Sequence, residues 1–155
     1  MDRRQIGVRK IKASDWEFLK GWWADYPVWK GQGFAKEMLP GLWKSKIPTE
    51  ITKEEEKTLS QGGFIVTKGD TPIAATWLYI TNSKMCFVAP VVADKFYRDT
   101  DRADAIKLLI HYTTQFGYDL GFEYCYAWSN QDNLTEYYKE TGYESSPCTE
   151  LVAKL

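Results

Sequence analysis

The chain has 155 residues, of which 44% are hydrophobic and 15% aromatic, and this composition predicts one folded domain, residues 1–155, rather than a disordered chain. Its 20 basic and 21 acidic side chains leave a net charge of −1, which disfavours broad nucleic-acid binding because proteins that bind phosphate backbones usually carry a basic excess. The single His and three widely spaced cysteines predict neither a metal site nor a disulfide framework, so we expect free thiols in a reducing compartment.

The N-terminal region predicts a strand followed by a helix. The first ten residues, MDRRQIGVRK, lack the apolar run of a signal peptide, and no segment reaches the roughly 20 apolar residues of a membrane helix, so we expect a cytoplasmic protein without membrane association. Residues 5–11 alternate apolar and polar side chains as a half-buried strand does. Next, Trp16, Leu19 and Trp23 recur at helical spacing, and the helix is predicted to end before Pro27.

The following segment is rich in glycine, proline and aromatic residues. Residues 27–49 contain three prolines and three glycines, which predicts a long loop with short helical pieces. The aromatic side chains of this loop, among them Trp29 and Phe34, either pack beneath it or line a substrate cleft, and the sequence leaves both interpretations open. Residues 51–60 then predict a short helix whose many charges face solvent.

The second half of the chain predicts a mixed sheet. The strands FIVTK, PIAATWLYI and KMCFVAP are separated by turn-forming GDT and TNS, which is typical of an antiparallel meander. A helix over about 102–120 precedes a strand at 123–129, and because a helix connects them, KMCFVAP and this strand should run parallel. A short helix over 133–141 and a last strand near TELVAKL complete the order.

This order, together with NQDNLTEYYKETGY at residues 130–143, resembles the GNAT superfamily of acyl-CoA-dependent N-acyltransferases. That family typically carries an Asn, a helix with a tyrosine and then Gly-aromatic; Tyr138, Gly142 and Tyr143 match the spacing, and Asn130 stands one position from the usual place. The aromatic-rich first third also looks like acyltransferase-like proteins often encoded by bacteriophages. The resemblance implies an α/β (α+β) fold, with a mixed, mostly antiparallel central sheet flanked by helices and one parallel strand pair that splays apart.

The resemblance also implies a reaction. A GNAT-like enzyme would move the acyl group of acetyl-CoA, or of another acyl-CoA, to the amine of a small molecule or a protein. Tyr138 would be the general acid that protonates the departing thiolate. The alternative interpretation makes Tyr138 a buried ring whose hydroxyl binds any available acceptor. No general base is identifiable from the sequence, and a homodimer is left open.

In the family, the cofactor pyrophosphate binds backbone amides at the start of the central helix, where helix amides and the helix dipole attract anions. The corresponding loop here is residues 100–105, and of the three patterned positions, Thr100, Ala103 and Ala105, only Ala105 has an expected residue.

The turn before this helix contains both acidic and basic side chains, which would have opposite effects on a bound diphosphate. Asp99, Asp101 and Asp104 would repel a diphosphate, and Arg98 and Arg102 offset two of these charges. The alternative is a helix start that needs no ligand, with Asp101 as N-cap and Asp104 at the third position.

These arguments select two sets of residues. The expected cofactor-binding residues lie at the end of KMCFVAP, where exposed backbone would pair with the pantetheine arm, at the helix start and in the C-terminal motif: Val88, Ala89, Arg98, Arg102, Ala103, Asp104, Ala105 and Asn130. The expected substrate residues are aromatic: Trp23, Trp29, Phe34 and Trp128. Trp128 ends the second parallel strand, and ligands usually lie at such ends in open α/β sheets.

Two other functions compete with acyl transfer. A GNAT fold that has lost acyl-CoA use would serve as a binding module, which the altered phosphate loop favours. A phage-type enzyme that transfers an aminoacyl group to modified DNA bases would stack a base on the aromatic loop and contact the DNA backbone through Arg3, Arg4, Arg9 and Lys12. The near-neutral charge disfavours this second alternative.

Overall fold

A computed structural model of the protein describes residues 5–25, 62–129, 131–149, 151 and 153. The strands in this part of the chain are β1 (Ile6–Lys10), β2 (Gly63–Lys68), β3 (Thr71–Ile80), β4 (Met85–Val88), β5 (Val92–Ala93) and β6 (Tyr124–Tyr126). The helices are α1 (Trp16–Asp25), which follows a 3₁₀ turn at Ala13–Asp15, then α2 (Arg102–Asp119) and α3 (Asp132–Glu140).

All the strands belong to one mixed sheet. Its order is β1-β2-β3-β4-β6, and the short β5 pairs with β3. Strands β1 to β4 pair antiparallel, whereas β4 and β6 pair parallel, as the helix between them predicts. The sequence therefore predicted the fold class correctly: a mostly antiparallel sheet flanked by helices, with one parallel pair.

Helices cover both faces of the sheet and bury a separate core on each. On one face, α2 buries a stripe formed by Ala105, Ile106, Leu109, Ile110, Thr113 and Gly117. Gly117 allows a close approach to the sheet, because a Cβ there would lie 3.0 Å from Cys86 Sγ and 3.2 Å from Leu78 Cδ1. On the other face, α1 packs Leu19 and Trp23 against Trp77 and its neighbours, as the helical spacing predicts.

The structure differs from the sequence predictions at the C-terminus. Residues 149, 151 and 153 are not in a strand, so the predicted strand near TELVAKL is wrong at these positions, and the rest of it lies outside the described residues. Pro147 lies two residues before this segment and cannot donate a ladder hydrogen bond, and residues 144–149 are exposed. β6 is also shorter than the predicted strand at 123–129, because its partner β4 ends at Val88.

Other predictions fall outside the described part of the chain: the loop at 27–49 with Trp29 and Phe34, the charged helix at 51–60, and Asn130. Among the described helices, none is long and apolar enough to span a bilayer.

Candidate active site

The two parallel strands, β4 and β6, lie at one end of the described strand order and separate along their length. Pairing between β4 and β6 ends at Phe87 and Tyr126. Beyond this point the chain after β4 stays with β3, because the Ala89 amide donates to the Trp77 carbonyl oxygen at 3.3 Å. A cis peptide bond between Ala89 and Pro90 follows, and Thr76 Oγ1 of β3 donates to the Pro90 carbonyl oxygen at 2.9 Å. The carboxyl ends of the parallel pair therefore diverge.

Tyr138 binds β4 where the strands diverge. Helix α3 buries Leu134 and Tyr138, which lie one turn apart on the face turned to the sheet. The Tyr138 hydroxyl donates to the Val88 carbonyl oxygen at 2.7 Å. Because the Ala89 amide points to β3, the Val88 carbonyl one residue earlier points to the opposite edge of β4, where β6 would have continued. Tyr138 thus satisfies a carbonyl that the separated strand no longer pairs.

A cavity of about 1020 Å³ extends from Tyr138 along β6. This volume is sufficient for a small-molecule ligand. Its walls are β6 and the residues that follow, the C-terminal half of α3, and the chain from residue 143 onward. Seven of the lining residues are aromatic: Tyr118, Phe122, Tyr124, Tyr126, Trp128, Tyr138 and Tyr143.

A neutral network of thiols and hydroxyls forms one side of this cavity. Cys86 and Cys125 are register partners on the parallel strands. The Tyr143 hydroxyl donates to Cys125 Sγ at 3.0 Å and lies 2.6 Å from Thr114 Oγ1. Burial, and secondarily Cys125, raises the pKa of Cys86 to about 12, and burial also raises the pKa of Tyr143. Both groups stay protonated at neutral pH, so Cys86 is unsuited to nucleophilic catalysis.

A buried lysine organises the turn before α2. Lys68, the last residue of β2, is 9% exposed, and its Nζ lies 2.7 Å from Asp101 Oδ2 and 3.9 Å from Asp99 Oδ2. The Tyr97 hydroxyl donates to Asp101 Oδ1 at 2.7 Å. The bond from Lys68, followed by that from Tyr97, lowers the pKa of Asp101. The Asp101 carboxylate makes no capping hydrogen bond, so the predicted side-chain cap is wrong, because Lys68 and Tyr97 bind the carboxylate instead.

The first turn of α2 consequently keeps unpaired amides. The Ala105 amide donates to the Asp101 carbonyl oxygen at 2.9 Å, as the first regular helical bond. Within the described part of the chain, the amides of Ala103 and Asp104 have no hydrogen-bond partner. Ala105 is fully buried in the core, whereas Ala103 is half-buried and Asp104 exposed. Two adjacent amides at a helix start attract anions.

The arginines of this turn have different surroundings. Arg102 Nη1 donates to the carbonyl oxygens of Asp94 and Tyr97, at 2.7 and 3.0 Å, and so holds the preceding loop. Burial, and then nearby Arg98, lowers the pKa of Arg102. Arg98 is exposed. The exposed Asp104 carboxylate pairs with a lysine of its own helix, Lys107, at 3.3 Å. Lysines, rather than the two arginines, therefore lie within ion-pair distance of the aspartates.

The structure brings some predicted residues together and separates others. Val88, Ala89, Tyr138 and Trp128 all lie at or beside the strand separation. Trp23 is 3% exposed and packs edge-to-face on Trp77, with ring centroids 5.2 Å apart, in the core beneath α1. Among the described residues, no group of three potential metal-ligating side chains occurs.

The sequence analysis did not identify three residues that lie at the turn before α2 or at the strand separation: Lys68, Phe87 and Tyr126. Lys68 carries no local signal, because its partners lie beyond β3, β4 and β5 in the chain. Tyr126 did have a signal, because Tyr124, Tyr126 and Trp128 alternate at the period of two that places side chains on one face of a strand. Phe87 is related to Tyr126 only by the pairing of β4 with β6.

Comparison with solved structures identifies the fold. A protein from Thermus thermophilus has a TM-score of 0.60 at 13% identity, over 96% of this chain and 97% of that one. An aminoglycoside N-acetyltransferase solved with a bisubstrate CoA analogue has a TM-score of 0.57 at 14% identity, over 97% and 99%. Glucosamine-6-phosphate N-acetyltransferase from Arabidopsis thaliana has a TM-score of 0.55 at 11% identity, over 96% and 98%.

The chain therefore has a GNAT-type fold. No protein-family model matches it, and no curated protein sequence matches it significantly. At identities this low the likeness concerns the fold, and the chemistry must be argued from the residues of the site.

Proposed function

We propose that the protein is an N-acyltransferase that moves an acyl group, acetyl in the first instance, from acyl-CoA to an amine. The observation that carries the proposal is the hydrogen bond from Tyr138 to the Val88 carbonyl oxygen, at the point where two parallel strands of a GNAT-type fold separate. Structures of the same fold solved with CoA or a CoA conjugate support acyl-CoA as the donor.

The residues present fit an acyl-CoA. Its pyrophosphate would bind the amides of Ala103 and Asp104, which have no partner among the described residues, because the Asp101 carboxylate is bound by Lys68 instead of capping the helix. The pantetheine arm would lie between the separated strands, where the backbone beyond Val88 and Tyr126 no longer pairs. The Ala89 amide is excluded from this role, since it already donates to β3.

An acyl-CoA supplies a thioester, which an amine attacks directly. The amine nitrogen forms a bond to the acyl carbon, the carbon–sulfur bond breaks, and the electron pair of that bond leaves on sulfur as a thiolate. Tyr138 would break its bond to the Val88 carbonyl oxygen and give the hydroxyl proton to this thiolate, and the proton lost by the amine would restore the phenol. The bond to Val88 holds the phenol in one orientation before the reaction, so the contribution of the chain is positioning and proton donation.

Ligand-induced stabilisation tests cofactor binding directly. Thermal unfolding would be followed with acetyl-CoA, with CoA and with CoA lacking its 3′-phosphate. A ligand at about 100 times its dissociation constant stabilises the folded state by about 2.7 kcal/mol, which raises the melting temperature by several degrees. Release of free thiol from acetyl-CoA in the presence of an amine panel then tests turnover.

The same experiment separates the rival functions. Stabilisation by CoA without thiol release with any amine would indicate a CoA-binding module. No stabilisation by any of the three compounds would contradict the proposal and leave a GNAT-type fold used for another interaction. Retention on DNA at low salt, with a steep loss of binding as salt rises, would support the nucleic-acid alternative.

A further inference from the structure

Three aromatic rings meet on one face of the sheet where β4 and β6 diverge. Phe87 and Tyr126 are the last register partners of the parallel pair, and their ring centroids lie 6.0 Å apart. Trp128 follows Tyr126 by two residues, so its side chain continues on the same face, and its ring lies 6.0 Å from Phe87 at 61°. We call this group, Phe87, Tyr126 and Trp128, the aromatic triad.

The aromatic triad has two properties of a binding surface. Tyr126 is 53% exposed, although it lies in the sheet at the end of a strand and lines the cavity. Trp128 Nε1 is buried, and among the described residues it has no hydrogen-bond partner. A buried indole N–H without a partner is unfavourable, and an acceptor atom of a ligand would remove that cost.

The cavity connects this surface to the proposed chemistry. Tyr126, Trp128 and Tyr138 line the same cavity, in which Tyr138 binds the end of β4. Tyr138 lies on the opposite face of the sheet, in the core that contains Cys86 and Val88. The pairing of β4 and β6 ends at Phe87 and Tyr126, so a ligand that packs on Tyr126 and Trp128 can extend its reactive group toward Tyr138 through the gap between the separated strands. In the proposed reaction that reactive group is the amine of the acceptor.

We infer that the aromatic triad selects the acceptor, and that the acceptor is a primary amine carried on a flat aromatic or heteroaromatic body with an oxygen or nitrogen that accepts a hydrogen bond from Trp128 Nε1. This inference rests on the proposed function and names the substrate class for the same site. The rings supply π faces for stacking and the indole supplies the polar contact that fixes orientation.

The chemistry of the amine decides which part of the acceptor lies on the rings. An ammonium group is attracted to aromatic faces, and that contact would stabilise the protonated form. A protonated amine has no free electron pair and cannot attack a thioester. Rings placed under the amine would thus oppose the reaction, whereas rings placed under the body of the acceptor leave the amine free to lose its proton. We therefore expect the aromatic triad to bind the aromatic body of the acceptor and not its amine.

Matched amines isolate the contribution of the π face. Phenethylamine and 2-cyclohexylethylamine have the same chain and a similar apolar body, but only the first has an aromatic ring. We expect phenethylamine to bind the CoA-saturated protein about tenfold more tightly in calorimetry, and to have a correspondingly higher kcat/KM with acetyl-CoA. Tyramine, whose ring hydroxyl can accept a hydrogen bond, should bind more tightly again.

Variants of Trp128 separate stacking from hydrogen bonding. Trp128→Leu should abolish the preference for phenethylamine over its saturated analogue, and Trp128→Phe should keep that preference while removing the extra affinity for tyramine. Phe96→Leu is the matched control, because Phe96 is an aromatic residue that is 81% exposed and does not line the cavity. CoA affinity should stay unchanged in all three variants, which confirms that each is folded.

The failure of this inference is distinguishable from the failure of the proposed function. If the protein transfers acetyl groups but treats the two matched amines alike, with Trp128→Leu changing neither, the inference is overturned and the proposed function stands. Faster transfer to polyamines or amino sugars than to arylalkylamines would overturn it in the same way. Absence of CoA binding would overturn the proposed function, and this inference with it.

Discussion

The start of α2 and the end of β4 both contain backbone groups that lack the hydrogen-bond partners of regular secondary structure. The two regions differ in whether a side chain binds these groups. At the start of α2, the amides of Ala103 and Asp104 stay unpaired among the described residues, while the nearby carboxylates bind lysines. At the end of β4, the Val88 carbonyl is bound by the buried Tyr138. Water can satisfy groups at a partly exposed helix start, but a buried carbonyl needs a partner from the protein.

This difference assigns the two regions different parts of the proposed reaction. The helix start offers unpaired donors near neutralised charges, so it suits an anion that binds and leaves. The strand end is already satisfied, so it suits a group whose orientation is set by a hydrogen bond before proton transfer. Each of the following substitutions tests one side of this comparison.

The largest effect is expected at the strand end. Tyr138→Phe removes the hydroxyl and keeps the ring, so turnover should fall by about 10²-fold while CoA affinity stays nearly unchanged, because the proton donor is lost. Loss of the bond to the buried Val88 carbonyl should also lower stability by about 1–3 kcal/mol. Steady-state thiol release and thermal unfolding measure the two effects.

The neighbouring tyrosine provides the control for this variant. Tyr137 is half-buried and lies about 100° around the helix from Tyr138. Tyr137→Phe should leave turnover unchanged. Equal turnover in wild type and Tyr138→Phe, measured on folded protein, would show that Tyr138 is only a packing residue.

An intermediate effect is expected at the turn before α2. Lys68→Met removes the buried cation that holds Asp101, so stability should fall by about 1–3 kcal/mol. Lys107→Met removes a half-buried lysine whose carboxylate partner, Glu140, is exposed, and should have a smaller effect. Chemical denaturation of both variants measures the difference, and equal losses would show that Lys68 does not organise the turn.

The effect of Lys68→Met should depend on pH. The folded pKa of Asp101 is lowered, with the bond from Lys68 as the largest cause. A carboxyl of this kind stabilises the fold above its unfolded pKa of about 3.9, and the stabilisation is lost as pH falls through the folded pKa. The stability gap between wild type and Lys68→Met should therefore be constant near neutral pH and should narrow below about pH 4. A gap that persists in acid would exclude Asp101 as the partner that matters.

The smallest effect is expected from Asp104, which contributes one of the unpaired amides and an exposed carboxylate. Asp104→Asn removes a negative charge from the helix start, so affinity for CoA should rise by about two- to fivefold at low salt and by less at high salt. Asp119→Asn, at the other end of α2, is the control and should change nothing. Equal CoA affinities for wild type and Asp104→Asn in low-salt calorimetry would place the pyrophosphate elsewhere.

The sequence alone determined the features that depend on local patterns. Alternating and helical periodicities placed β1 to β4, β6 and the three described α-helices, and the helix between β4 and β6 fixed those strands as parallel. The spacing of Tyr138 and Gly142 located the end of α3, where Gly142 has the positive φ of 107° that glycine adopts readily.

Only the tertiary structure decided which groups meet at the site. The sequence predicted a capped helix start because Asp101 has the right local position, but Lys68 reaches it from the end of β2 and forms an ion pair that the local rule does not contain. Tyr138 and Val88 are 50 residues apart, and no local pattern relates them. Local hydrogen-bonding rules compare a residue with its chain neighbours, whereas packing brings distant charges and carbonyl groups close enough to compete for the same partners.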